Sequence, residues 1–129
     1  MGNSSGSIPT VLVVEDNDDT RAIICLELGR YGYLVVEAWN GREAIELARH
    51  GCPDLILMDL NLPSVDGLTA AQAIRRLGKK CAAVPIIAIT AYDTYGIEKA
   101  ALDAGCDAYL RKPLDFPSLE KTVSGFIYG

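Results

Sequence analysis

Histidine is almost absent: His50 is the only one in 129 residues, so no histidine-rich metal centre can be built here. Basic runs are missing too. Twelve Lys and Arg stand against seventeen Asp and Glu, for a formal net charge of -5, which argues against a nucleic-acid footprint. No apolar run approaches the roughly 20 residues of a membrane span. The amino terminus has neither the charged nor the apolar region of a secretory signal. Met1-Gly2 opens like a myristoylation site, but Gly6 stands where Ser or Thr is wanted. Cys25, Cys52, Cys81 and Cys106 form no C-x-x-C pair. They are expected to be small buried apolar residues of a reducing cytosol. The remainder, 50% hydrophobic and 22% charged, describes one ordinary globular domain.

Its centre of gravity is the stretch Asp54-Leu55-Ile56-Leu57-Met58-Asp59-Leu60-Asn61-Leu62-Pro63. Four apolar residues run unbroken into an acid. Such a run fits a strand buried on both faces, with Asp59 at its carboxyl end. In open α/β sheets that edge is where ligands and chemistry collect.

Residues 1–9 read as a flexible tail and 10–129 as the folded unit. Five strands are predicted: Val11 to Val14, Leu34 to Val36, Leu55 to Met58, Ile86 to Ile89 and Ala108 to Leu110. Helices alternate with them. Asn17 or Asp18 caps the first and Gly32 ends it. Asn40 caps the second, with Glu43 completing a capping box, and Gly51 closes it near His50. Asp66-Gly67 opens the third, with Ala70, Ala73, Ile74 and Leu77 on its inner face. Asp93 or Thr94 starts the fourth, which carries Ile97, Ala100, Ala101 and Ala104 and ends at Gly105. Asp115 caps the last, with Pro117 in its first turn and Leu119, Val123, Phe126 and Ile127 inward. Five strands alternating with five helices give a doubly wound α/β fold. The expected sheet is parallel, in order 2-1-3-4-5, with helices on both faces, the flavodoxin-like order.

Four strand ends then converge. The first carries Glu15 and Asp16, the third Asp59, the fourth Thr90, the fifth Arg111 and Lys112. Three carboxylates crowded together want a cation, and hard oxygen donors suit Mg²⁺ or Mn²⁺ better than zinc. Carboxylate, divalent cation, ammonium and hydroxyl are the parts needed to hold a phosphoryl group on Asp59. Trp39, at the end of the second strand, is not expected to sense that site.

The chain resembles the receiver domain of two-component response regulators, from Thr10 to Ile127. The matching motifs are Val13-Val14-Glu15-Asp16-Asn17, Met58-Asp59-Leu60-Asn61-Leu62-Pro63, Asp66-Gly67, Ile89-Thr90-Ala91 and Lys112-Pro113. The resemblance implies that Asp59 accepts a phosphoryl group from a histidine kinase or histidine phosphotransferase. It implies that Glu15, Asp16, Asp59 and the Asn61 carbonyl hold Mg²⁺. Thr90, the Ala91 amide and Lys112 would take the phosphoryl oxygens, and Tyr109 matches the family's switch aromatic. It further implies a cis Lys112-Pro113 bond and a cytoplasmic signalling module, read by a downstream partner at the fourth helix, fifth strand and last helix. Glu15-Asp16 stands where many receivers have two aspartates. Tyr92 and Asn61 occupy positions that tune dephosphorylation in that family. The last helix carries only Lys121, so the dimer that goes with a basic last helix is not expected.

Three rivals are weighed against this. An aspartyl-nucleophile phosphatase would want its nucleophile after the first strand with an acid two residues on; Asp59 follows the third and is followed by Asn61. A flavodoxin-like cofactor binder would want a Ser/Thr/Gly-rich phosphate loop, where this chain has Glu15-Asp16-Asn17-Asp18-Asp19. A phosphorylation-independent interaction module would have no need of Asp59, Thr90 and Lys112 together.

Overall fold

In the computed structural model, residues 7–62, 65–91 and 96–129 are described. Five parallel strands form one sheet: β1 (Thr10–Val14), β2 (Leu34–Ala38), β3 (Leu55–Asp59), β4 (Ile86–Thr90) and β5 (Ala108–Arg111). Their order is β2-β1-β3-β4-β5, as the alternation of elements predicts. The β3 run is wholly buried, because helices cover both faces of the sheet. Leu55 and Leu57 join one core with Val11, Val13, Ile24, Leu28, Leu119 and Val123. Ile56 and Met58 join the other, with Ala44, Ala48, Ala70 and Ile74.

The helices begin where their caps say. Asn17 accepts from the Thr20 amide at the start of α1 (Asp18–Arg30), and Gly32, at φ 96°, turns the chain beyond it. Asn40 accepts from the Glu43 amide at α2 (Gly41–His50). Glu43 reaches back to the Trp39 amide rather than to that of Asn40, one residue beyond the usual capping box. Asp66 caps α3 (Gly67–Arg75), whose buried face is Gly67, Ala70, Ala71 and Ile74; Ala73 and Leu77 lie at its edge, half-buried. The proposed starts of the fourth predicted helix, Asp93 and Thr94, lie outside the described residues, as do Pro63 and Tyr92.

Three expectations are corrected. A short helix, α4 (Lys79–Ala83), stands between α3 and β4, so α5 (Ile97–Asp103) and α6 (Phe116–Tyr128) bring the described helices to six. Five residues are too few to show a 3.6-residue period, and only Cys81 of them is buried. Phe126 is 40% exposed; the α6 stripe runs through Leu119 and Val123 to a half-buried Ile127 instead. Finally, Cys52 and Cys81 are joined in a disulfide with their Cα atoms 5.7 Å apart, where reduced thiols are expected. The bridge links the α2–β3 connection to α4, at the sheet edge opposite Asp59. Cys106 is the buried thiol expected, and Cys25 is a half-buried one.

Candidate functional site

Register brings the polar residues together. Val14 is level with Met58, so Glu15 and Asp59 are neighbours one residue on. Asp59 is level with Ile89, and Thr90 with Arg111, which sets Lys112 just past the fifth strand. The Lys112 amide then donates to the Thr90 carbonyl (2.8 Å), and the Leu60 amide to that of Ile89 (2.9 Å). The Lys112-Pro113 bond is cis, as the resemblance implies.

Burial gives these groups their force. Glu15 is 2% exposed, Asp59 3% and Thr90 1%, whereas Asp16 faces solvent. Lys112 Nζ donates to Glu15 Oε1 (2.7 Å) and Asp59 Oδ2 (3.0 Å). Burial alone would lower the Lys112 pKa. Its hydrogen bonds to Glu15 and Asp59 outweigh that, so the ammonium stands above the usual lysine value. The second oxygens are held too: the Asn61 amide donates to Asp59 Oδ1 (2.9 Å), and the Asn17 amide to Glu15 Oε2 (3.1 Å). Ala91 is exposed beside the site, and Tyr109 is half-buried against the α2–α5 core.

One carboxylate oxygen from each of Glu15, Asp16 and Asp59 lies within 4.8 Å of the others. Among the described residues the Lys112 ammonium stands against these three charges, which leaves about two negative charges uncompensated. A hard divalent cation fits both that charge and the all-oxygen donor set, and exposed Asp16 opens the site to the waters such a cation keeps.

Two close approaches hold the loop that follows Asp59. A Cβ on Gly67 would strike the Asp59 carbonyl and come within 2.7 Å of Leu60 Cα. A Cβ on Gly41 would strike the Val65 carbonyl. Asp66-Gly67 is thus part of the site because the first turn of α3 rests directly on the Asp59 backbone.

Sequence reasoning missed two arginines. Arg21 donates to the Glu15 carbonyl (2.9 Å), pairs with Asp18 (2.7 Å) and Glu37 (3.0 Å), and lies 5.7 Å from the Trp39 ring centre. Trp39 is therefore within one side chain of the Glu15–Asp16 loop. At the opposite edge Arg75 donates to the carbonyls of Cys81 (2.9 Å), Val84 (2.5 Å) and Gly105 (2.7 Å) and pairs with Asp107 (2.9 Å). A lone helical arginine carries no signal of such partners.

The comparisons with known proteins agree with this geometry. The sequence profile of the response regulator receiver domain matches residues 11–124. The polar-differentiation response regulator DivK of Brucella anthropi is 35% identical over 118 residues, which are 92% of this chain and 95% of that protein. A receiver domain of a sensor histidine kinase from Pseudomonas aeruginosa PAO1 was solved with magnesium ion coordinated in its active site cleft. It superposes with a TM-score of 0.87 at 34% identity, over 95% of this chain and 100% of that one. A Saccharomyces cerevisiae receiver domain, co-crystallised with a histidine phosphotransfer signaling protein, gives 0.85 at 33% identity, over 95% of this chain and 92% of its own. With strand order, acidic cluster and sequence in accord, the chain belongs to the response regulator receiver domain family.

Proposed function

We propose that residues 10–129 form a receiver that takes a phosphoryl group from a partner phosphohistidine onto Asp59. The observation that carries this is the paired grip of Lys112 on Glu15 and Asp59 beside a third carboxylate. In the transfer an Asp59 oxygen attacks phosphorus, the P–O bond forms, and the P–N bond to the donor imidazole breaks. With a proton on its other nitrogen, the imidazole takes the P–N electron pair and leaves as the neutral ring. Lys112 stays as the ammonium that balances charge on the transferring oxygens, and Thr90 and the Ala91 amide supply donors to them. Glu15, Asp16, Asp59 and the Asn61 carbonyl would hold Mg²⁺, or Mn²⁺ in its place. Such an ion supplies charge neutralisation at the phosphoryl oxygens.

A concavity of about 500 Å³ beside Lys112 supports a phosphohistidine protein as donor. Ile23 and Ile24 of α1, Pro113, Leu114 and Phe116 line it, an apolar seat next to the acceptor. The yeast neighbour, solved with a histidine phosphotransfer protein, supports the same class of partner. Output is read at α5, β5 and α6. Thr90 is already buried, so the phosphoryl group draws its hydroxyl by a short shift, and half-buried Tyr109 follows into the space behind β4. The setting is the cytoplasm, a reducing compartment in which a bridge such as Cys52–Cys81 is rare. Acetyl phosphate with Mg²⁺ should add one phosphoryl mass to the wild type and none to Asp59→Asn. Full labelling of Asp59→Asn, or sustained turnover of small phosphate esters by the wild type, overturns this reading.

A further inference from the structure

The two acids on the β1–α1 loop are useful to a cation only if the loop holds them in place beforehand. Glu15 is fixed at its amide, which donates to the Ala38 carbonyl (3.0 Å), and Asn17 is fixed by capping α1. Between them, the Glu15 carbonyl is taken by Arg21 Nη1 at 2.9 Å. The other arms of the same guanidinium reach Asp18 in the first turn of α1 and Glu37 near the end of β2. Its Cζ lies over the Trp39 ring, 5.7 Å from the ring centre. The Arg21 side chain is only 12% exposed, low for an arginine, so its methylene stem is packed as well as its head. One planar fork thus ties three segments: the end of β1, the start of α1 and the end of β2. Lysine, a point charge without that fork, could not reproduce the arrangement.

We propose that Arg21 is a positioning residue for the divalent-cation site, holding the Glu15–Asp16 loop in its binding conformation through the Glu15 carbonyl, with Trp39 packed on the guanidinium as a built-in reporter. The proposal rests on the reading of Glu15, Asp16 and Asp59 as a cation site. Arg21 touches none of the carboxylate oxygens in that cluster. Its effect passes through the loop backbone, in the way that residues behind a metal's ligands set its affinity, commonly by tenfold to a hundredfold. Glu15 and the Trp39 ring flank one guanidinium, so a cation held by Glu15 and Asp16 would alter the indole's electrostatic surroundings.

The test is a Mg²⁺ titration followed both by calorimetry and by Trp39 emission. The wild type should bind Mg²⁺ with a change in emission. Arg21→Ala should bind about tenfold or more weakly, with the emission response lost although Trp39 is intact. Labelling by acetyl phosphate should need correspondingly more Mg²⁺ yet reach the wild-type maximum when the metal saturates. A merely structural role would lower the melting temperature and leave the Mg²⁺ midpoint of the folded protein unchanged. If Arg21→Ala does not fold, Arg21→Lys carries the test and should still weaken binding severalfold. Wild-type affinity in the folded variant overturns the role of Arg21 alone. A wild type that binds no Mg²⁺ overturns the cation site itself, and the inference with it.

Discussion

Replacing Gly67 by alanine adds one methyl group at a backbone position in the site confined by other backbone atoms. The new carbon would collide with the Asp59 carbonyl, lie 2.7 Å from Leu60 Cα and sit 3.1 Å from the Asp59 carbonyl carbon. Carbon atoms settle at about 3.5–4.0 Å, so α3 and the end of β3 must part by roughly 1 Å. Neither neighbour is a flexible side-chain end. Both belong to the backbone leaving a strand with every residue buried. We expect Gly67→Ala to cost about 2–3 kcal/mol, the upper part of the range for overpacking. The same displacement moves the Asp59 carboxylate by more than the ~0.5 Å such sites tolerate, so labelling by acetyl phosphate should slow about tenfold or more. Gly29 is the control. A Cβ there meets nothing within 4 Å, and the position is exposed in the last turn of α1. Gly29→Ala should therefore stabilise by up to about 0.5 kcal/mol, less than the interior-helix value, with labelling unchanged. Urea unfolding at 25 °C, with m-values compared, gives both free energies. Should Gly67→Ala unfold within about 0.5 kcal/mol of wild type and label at the wild-type rate, the α3 start is not resting on the acceptor strand.

Reducing the Cys52–Cys81 bridge frees a loop of sequence separation 29, worth about 3–4 kcal/mol in the chain-entropy account. Dithiothreitol should lower the melting temperature while Asp59 labelling at 25 °C persists; an unchanged melt with all four thiols alkylatable would refute this. Arg75→Ala should cost about 2–3 kcal/mol in urea, since it strips donors from the Cys81, Val84 and Gly105 carbonyls at once. Alkali should destabilise the fold. Burial, with Glu37 assisting, raises Cys25 to about 11; burial also raises Cys106 to about 11, Asp107 assisting against Arg75. Groups whose folded pKa lies above the unfolded one favour the fold fully below the unfolded value, about 8.5 for thiols, and lose that favour as pH rises through the folded value. Melting temperatures should hold from pH 7 to 8 and fall from about 8.5 to 11. The Lys112 contribution, also from a raised pKa, fades higher still. A melt that rises across that range contradicts the assignment.

How much of this was legible depended on the length over which each signal repeats. Leu55 to Met58 and Ile86 to Ile89 are unbroken apolar runs, so their strands, and by alternation the sheet order, could be read directly. Asn17, Asn40, Asp66 and Asp115 each accept from the amide three residues on, a local rule that sequence states well. The convergence of Glu15, Asp59 and Lys112 followed from strand order alone. Contacts between distant segments were not legible. Nothing in the spacing of Cys52 and Cys81 pairs them, because helix packing brings those two connections together. Arg21 reaches Glu37 and Trp39 across the β2 end, and Arg75 reaches Gly105 across thirty positions of chain. Phe126 fell outside its expected stripe because Leu119, Val123 and Ile127 drift one way round the helix, at about 100° per residue, which leaves Phe126 about 60° from the middle of their face.

The sheet divides the interior into two layers that share only its backbone. β3 sends Leu55 and Leu57 to the α1/α6 side and Ile56 and Met58 to the other. The apolar seat beside Lys112 draws most of its walls from α1 and from residues 113–116, with Ala91 completing it. The Tyr33 hydroxyl, bonded to Glu120 at 3.0 Å, fastens α6 to the chain just past α1. If that seat receives the phosphohistidine donor, as proposed, donor preference is transplantable. Exchanging α1 through Tyr33, together with 113–128, for the same pieces of a relative would carry partner choice across as one graft. The layer of Ile56, Met58, Ala70 and Ile74 would keep its own inheritance.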